Sequence, residues 1–170
     1  MALDSVFATY PDATLKEAKD WLRLRAQKGS FCPCCKQFVK IYKRALGSQM
    51  ARWLIWLTRT WEQLPQYGDA WVDIKMAPTR GGDYAKTTHW QLAENRISND
   101  KTLRSSGLWR PTAKGIDFVQ NRIRVPSHVE LYDNLVLGFS DETIGIVEAL
   151  GKRFDYYELM NSPVLVPVPV

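Results

Sequence analysis

Cysteine and histidine are scarce in this chain of 170 residues, which contains three Cys and two His. The cysteines all lie within one short segment, at Cys32, Cys34 and Cys35, so they cannot form the framework of a disulfide-stabilised fold. The sequence also lacks a G-x-S-x-G elbow, a phosphate-binding glycine loop and an H-E-x-x-H helix. Because the usual groups of nucleophilic and metal-dependent catalysis are missing, we expect a protein that is not an enzyme.

Long apolar runs are absent as well. No stretch reaches the roughly 18 apolar residues that a membrane-spanning helix needs. The first twenty residues do not combine a basic segment with an apolar core, as a secretion signal does. Neighbouring cysteines suit a reducing compartment. We therefore expect a cytoplasmic protein with no membrane partner.

Acidic residues are missing between Trp21 and Trp61, a segment that carries nine basic side chains. The imbalance extends further, since residues 1–124 hold 21 basic and 11 acidic side chains, for a net charge of +10. Residues 125–170 hold 2 basic and 7 acidic side chains, for a net charge of −5. A field of one sign attracts polyanions, which makes nucleic acid the expected partner of the basic part. A solvated basic face, or one that docks an acidic protein, is the alternative.

Two helices are predicted in the first part of the chain. Thr14 and Glu17 have the spacing of a capping box at the start of the first, and Gly29 can end it. Its buried stripe would consist of Leu15, Ala18, Leu22 and Ala26. Residues 36–46 are also helical in pattern, and their basic side chains recur at helical spacing, at Lys36, Lys40, Lys43 and Arg44.

The strongest helical periodicity runs from Ser48 to Leu64. Its apolar stripe comprises Met50, Trp53, Leu54, Leu57, Trp61 and Leu64. Ile55 and Trp56 lie on the other side, so this helix is apolar on more than one face. We expect another helix or a second subunit to cover it, and the exposed second face favours a homodimer.

A helix, a hairpin and another helix are predicted in the middle of the chain. Asp83 caps the helix DYAKTTHWQLAEN, in which the inward-facing residues would be Ala85, His89, Leu92 and Ala93. His89 is interpreted as a packed histidine. The hairpin opens at Ile97, turns at residues 99–101 and returns through residues 107–110. Thr112 then caps the helix AKGIDFVQNRI.

These segments resemble a winged helix-turn-helix, as found in bacterial regulators of the PadR and MarR kinds. The resemblance is carried by DYAKTTHWQLAEN, SNDKTLRSSGLWRPT and AKGIDFVQ, with LWRPTAKG at the place of the strand that returns from the wing. Pro111 departs from the pattern and should place this strand at a sheet edge or end it early. The implied fold is α+β and mostly helical, with a winged-helix core at residues 48–124. The other regions are an N-terminal helical extension with a CPCC turn (1–47), an acidic hairpin and helix (125–162) and an extended tail (163–170).

A second resemblance concerns the segments CPCCKQFVKIYKR and KTTHWQLAE. They are similar to segments of small proteins encoded by phages and prophages that combine a CPxC element with a tryptophan-rich winged region. This likeness implies an origin in a mobile element, and hence a location in the host cytoplasm. It implies no activity.

The winged-helix resemblance makes residues 83–95 the recognition helix of a protein that binds double-stranded nucleic acid, expected to be DNA. The residues that would face the major groove are Tyr84, Lys86, Thr87, Gln91 and Asn95. The wing would contact phosphates or the minor groove through Lys101, Arg104 and Arg110. Further contacts to the phosphate backbone would come from Lys36, Lys40, Lys43 and Arg44.

The cysteine segment resembles half of a zinc ribbon, with Cys32 and Cys35 as candidate ligands. A structural zinc site needs four ligands, and the sequence has no second CxxC pair. Two arrangements would add ligands: Cys34 combines with His89 in one chain, or two chains each supply Cys32 and Cys35. The competing interpretation is a reduced turn that binds no cofactor.

A different class of function remains open. The alternative hypothesis is a host-takeover or anti-defence inhibitor, such as an anti-CRISPR protein, that binds a host protein complex with its tryptophans as anchors. The acidic C-terminal part would then imitate phosphates through Asp133, Asp141, Glu142, Glu148, Asp155 and Glu158.

Overall fold

A computed structural model of the protein describes residues 12–65, 70–78, 82–100, 102 and 105–164. The fold is α+β, as predicted. The chain divides into two compact units: unit 1 comprises residues 1–44 and 130–138, and unit 2 comprises residues 45–129 and 139–170. Within the described ranges, no helix combines the length and the apolarity that crossing a membrane requires.

The first helix that the structure describes in unit 1 is α1 (Leu15–Arg25). The predicted capping box is confirmed, because the Thr14 hydroxyl accepts from the Glu17 amide at 3.3 Å and the Glu17 carboxylate accepts from the Thr14 amide at 2.8 Å. Ala18 and Ala26 are buried as expected. The predicted stripe is wrong at Leu15, whose side chain is 62% exposed in the first turn.

The predicted helix over residues 36–46 is wrong, since this segment forms strands. Strands β1 (Ser30–Phe31) and β2 (Phe38–Val39) pair antiparallel, and β3 (Tyr42–Ala45) follows. The physical reason is the β-branched and aromatic content of FVKIY, which fits a pleated surface better than a helix. The Ile41 amide also donates to the Ala26 carbonyl at 2.8 Å, a bond to distant backbone that a helix would not leave available.

A second sheet has the strand order β3-β8-β9, with β8 at His128–Tyr132 and β9 at Leu135–Phe139. The predicted hairpin is therefore confirmed. Asp133 and Asn134 both have positive φ, 46° and 62°, as a two-residue turn between twisted strands requires. Strand β9 is exposed at every residue except the half-buried Gly138, with Leu137 at 53%.

Helix α2 (Ser48–Glu62) is the centre of unit 2 and confirms the strongest helix prediction. Nine of its residues are buried, among them Trp53, Leu54 and Ile55. It packs against the long 3₁₀ helix (Gly82–Trp90), strand β6 (Leu108–Pro111) and the three later helices of the unit. Ile55 is only 1% exposed, so its burial needs no second subunit and the argument for a homodimer from this residue falls away.

Strand β6 is the central strand of an antiparallel sheet with the order β4-β6-β5, where β4 is Val72–Asp73 and β5 is Ala93–Asn95. The predicted hairpin forms, but its first strand precedes Ile97, which is 88% exposed. Pro111 is the last residue of β6, opposite Ala93. The strand ends at the proline, which has no amide hydrogen for a further ladder bond.

The segment 83–95, predicted as one α-helix, is divided between the long 3₁₀ helix and β5. The Thr87 and Thr88 hydroxyls donate to the carbonyls of Tyr84 and Ala85, at 2.6 and 2.8 Å. Such bonds compete with the backbone pattern of an α-helix. Gln91 then takes a positive φ of 60° and ends the helical segment.

Three short helices complete unit 2. Helix α3 (Ala113–Val119) is capped by Thr112 as predicted, with the Gly115 amide donating to the Thr112 hydroxyl at 3.0 Å. Helix α4 (Ile146–Leu150) follows strand β10 (Thr143–Ile144), which pairs with β7 (Val125–Pro126). Helix α5 (Tyr156–Asn161) is capped by Asp155. The predicted extended tail lies outside the described residues from 165 onward.

Candidate nucleic-acid interface and cysteine turn

Two of the predicted backbone-contacting residues, Lys40 and Arg44, lie close to the ring of Tyr42 in strand β3. Tyr42, Lys43 and Arg44 are all exposed, and Lys40 precedes the strand at a half-buried position. The Tyr42 ring centroid lies 5.3 Å from Arg44 Cζ and 6.0 Å from Lys40 Nζ. Because side chains alternate along a strand, Tyr42 and Arg44 share one face of β3 and Lys43 lies on the other. These four residues are called the basic strand below.

The cations of the basic strand are not neutralised by neighbouring carboxylates. In the part of the chain that the structure describes, Lys40, Lys43 and Arg44 take part in no salt bridge, whereas Arg23 on α1 pairs with Asp20 at 3.5 Å. Exposed cations without a partner can meet phosphates without first breaking an ion pair. Lys36 lies apart from the basic strand, at an exposed position of positive φ that closes the cysteine turn.

The predicted groove-reading residues of unit 2 are engaged within the unit. Thr87 is fully buried, and the Tyr84 ring is stacked on Trp53 at 5.0 Å and contacts Trp109 edge to face at 5.4 Å. The burial of Thr87 corrects the prediction for that residue, whereas Tyr84 is half-buried and its groove contact stays a prediction. The cause is the 3₁₀ conformation, which brings side chains three positions apart onto one face, so that residues 84, 87 and 90 lie in line.

Other predicted contacts in unit 2 are only partly available. Lys86 forms an ion pair with Asp83, and Asn95 donates to the Ser105 hydroxyl and the Leu108 carbonyl, both at 3.0 Å. Gln91 is exposed, as a base-reading residue needs to be.

Arg110 in β6 pairs with Glu94 in β5, and its guanidinium lies 4.5 Å from the centroid of Trp71. The charge of this predicted wing residue is thus offset by its cross-strand neighbour. Lys101 and Arg104, the other two predicted wing contacts, lie outside the described residues. The described part of the wing consequently offers much less available positive charge than the basic strand.

The cysteines lie in a tight turn between the paired strands β1 and β2. The Cys32 amide donates to the Gln37 carbonyl at 2.8 Å, and the Lys36 amide donates to the Cys32 carbonyl at 2.9 Å. Backbone N–H groups of Cys35, and less strongly of Cys34, lower the pKa of the Cys32 thiol because they stabilise the thiolate. The turn therefore favours the form of Cys32 that binds metals.

Cys32 is half-buried, and Cys34 and Cys35 are exposed. Every Cys and His of the sequence lies in the described part of the chain. Among these described residues, no three or more His, Cys, Asp or Glu side chains form a group that could hold a metal ion. His89 belongs to unit 2, where burial, and next to it the charge of Lys86, lower its pKa. A neutral, half-buried imidazole of this kind fits the interpretation of His89 as a packed histidine.

Sequence reasoning missed Tyr42, which is central to the basic strand. The signal for it was the alternation in KIYKR, which places a basic residue two positions before and two positions after the tyrosine. Comparison with protein-family models, with curated protein sequences and with solved structures finds no match to this chain. The functional interpretation therefore depends on the geometry of these side chains.

Proposed function

We propose that this protein binds nucleic acid without catalysing a reaction, and that the basic strand of unit 1 is its main contact with the phosphate backbone. The observation that carries the proposal is the exposed Tyr42 ring, which has the cations of both Lys40 and Arg44 close to it. Cations that form no described ion pair attract phosphates, and an accessible aromatic ring offers a surface for a base or sugar. This pairing of charge and ring is typical of nucleic-acid surfaces.

The architecture of unit 2 supports a winged-helix core in this proposal. Helix α2, the long 3₁₀ helix, the β5–β6 hairpin and α3 occur along the chain in the order of a winged helix-turn-helix. The positions that would read base edges are largely used for internal packing, since Thr87 is buried and Tyr84 is stacked on Trp53. We therefore expect binding to duplex DNA with little preference for sequence, because phosphate contacts position a protein but carry no base information.

The alternative of an inhibitor that binds a host protein complex loses two of its arguments. Four of the seven tryptophans, Trp53, Trp61, Trp90 and Trp109, are buried in unit 2 and are not available as surface anchors. Glu148, one of the proposed phosphate mimics, forms a two-pronged ion pair with Arg124, at 3.0 and 2.6 Å. Its charge is compensated within the unit.

Removing two charges from the basic strand tests the proposal. In fluorescence anisotropy with a labelled random-sequence duplex, we expect Lys43→Gln/Arg44→Gln to weaken binding about tenfold or more, because each lost phosphate contact removes one released counterion. The slope of log K against log salt concentration should fall in magnitude by about 2. Duplexes of different sequence should be affected equally.

The matched control is Lys16→Gln/Lys19→Gln, which removes the same charge from exposed positions of α1 in the same unit. If both double variants weaken binding equally, net charge and not the basic strand attracts the DNA. If the wild type binds neither duplex nor single-stranded DNA at low salt, the proposed function is wrong. Stronger binding of the single strand, lost in Tyr42→Ala, would reassign the ligand to unpaired bases.

A further inference from the structure

The turn at Cys32–Cys35 has the backbone arrangement of a metal-binding loop. Strands β1 and β2 pair through Ser30 with Val39 and Phe31 with Phe38, so the six residues between them form a closed loop. The bond from the Cys32 amide to the Gln37 carbonyl closes that loop at 2.8 Å. Lys36 takes a φ of 62°, which reverses the chain directly after Cys35. The loop therefore places Cys32 and Cys35 in one turn, at its first and fourth positions.

The cysteine side chains of the loop are accessible. Cys34 and Cys35 are exposed, and Cys32 is half-buried. Thiolate ligands select soft or borderline metals, of which zinc is bound by four ligands in structural sites.

One chain supplies too few ligands for such a site. Both imidazoles belong to unit 2, at His89 and His128, and the described residues contain no group of three or more ligating side chains. Two thiolates from the turn leave two positions of a tetrahedral zinc unfilled. A second copy of the same turn brings the same two groups, Cys32 and Cys35, and completes the set by symmetry.

The surface around the turn gives a separate reason for a second copy. Phe31 and Phe38 flank the cysteines, with ring centroids 5.3 Å apart, and they are 36% and 53% exposed. Aromatic rings that remain exposed beside a ligand pair would be covered if two turns met. Lys36 adds one positive charge per chain next to the turn, which offsets the net negative charge of a zinc ion with four thiolates.

We propose that two copies of this chain share one zinc ion, bound by Cys32 and Cys35 of each copy. The site joins the chains through unit 1 and is independent of the nucleic-acid proposal, since it concerns different side chains. Cys34 lies between the two ligands, is exposed like Cys35, and is not a ligand in this arrangement.

Metal content and mass of the untagged, reduced protein test the proposal together. We expect one zinc per two chains by elemental analysis and a dimer by analytical ultracentrifugation. Cys35→Ser should yield a monomer without zinc, and Cys34→Ser, a matched change on the same turn, should keep both the dimer and the metal. Far-UV circular dichroism of each variant verifies that it is folded.

A strong chelator added to the wild type gives a second test that needs no variant. It should convert the dimer into a monomer, and added zinc should restore the dimer. One zinc per chain in a monomer would overturn the sharing of the site. No zinc, together with no thiolate-to-cobalt absorption when Co²⁺ is added to the reduced protein, would overturn the site itself. A dimer that persists after zinc removal would show that zinc does not join the chains.

Discussion

Gly115→Ala is expected to destabilise unit 2 by about 3 kcal/mol or more, because the added methyl group has no room. A Cβ atom at residue 115 would overlap the carbonyl oxygen of Leu92 and lie 2.9 Å from its carbonyl carbon. Both are backbone atoms, so no change of rotamer can relieve the overlap. The same carbonyl accepts the Thr112 amide at 3.2 Å, and Thr112 caps α3. Moving α3 away would therefore break the bond that attaches its first turn to the β5 side of the sheet.

The measurement is urea unfolding followed by tryptophan fluorescence, with the thermal midpoint as a second readout. A loss of about 3 kcal/mol corresponds to a midpoint lowered by roughly 6–12 °C in a chain of this size. Gly138→Ala is the matched control, because a Cβ at residue 138 meets no atom within 4 Å. It should change stability by less than about 0.5 kcal/mol. Equal midpoints for the two variants would show that α3 does not approach Leu92 as described.

Local signals in the sequence predicted the described elements that depend on neighbouring residues. The capping box of Thr14 and Glu17 and the cap at Thr112 form because each needs only a hydroxyl and an amide three positions away. The Asp133-Asn134 turn forms for a similar reason, since both residues tolerate positive φ. Helix α2 was predicted because its apolar residues recur at the period of a helix over the whole segment. A strand repeats every second residue and does not fit that spacing.

Elements determined by distant contacts were not predicted. The spacing of Lys36, Lys40 and Arg44 fits a helix, but even-numbered positions also share one face of a strand. Whether this segment forms a helix or a strand depends on its pairing with β8, which lies far along the chain. Similarly, the sequence marks Thr87 as a polar residue available for DNA, whereas the 3₁₀ conformation buries it.

The sequence predicted which basic residues belong to the candidate interface, but not how their side chains are arranged. Charge alone identified Lys40, Lys43 and Arg44, because an excess of one sign is visible without coordinates. It could not show that Arg110 and Lys86 are paired with Glu94 and Asp83, since those pairings depend on hairpin register and helix type. The sequence also could not show that the Tyr84 ring packs against other side chains whereas Tyr42 is exposed.

Trp53→Ala is the second change with a large expected effect. Trp53 is 2% exposed on α2, its ring is stacked on Tyr84 at 5.0 Å, and it meets Trp109 edge to face at 5.4 Å. These contacts attach the long 3₁₀ helix and strand β6 to the central helix. Truncation to alanine leaves a cavity, because the two neighbouring rings and the helix cannot move together to fill it. We therefore expect the free energy of unfolding to fall by about 4 kcal/mol. Urea unfolding monitored by far-UV circular dichroism measures it without depending on the removed fluorophore.

Trp53→Phe separates ring packing from hydrogen bonding at the same position. The Trp53 indole Nε1 is buried and has no hydrogen-bond partner in the described part of the structure, as is also true of Trp109 Nε1. Phenylalanine keeps an aromatic ring against Tyr84 and removes the buried donor, which offsets part of the lost contact area. We therefore expect a cost of only about 1 kcal/mol, well below that of alanine. If phenylalanine costs as much as alanine, the indole N–H contributes a bond that the ring contacts do not explain, and the packing account of this cluster is wrong.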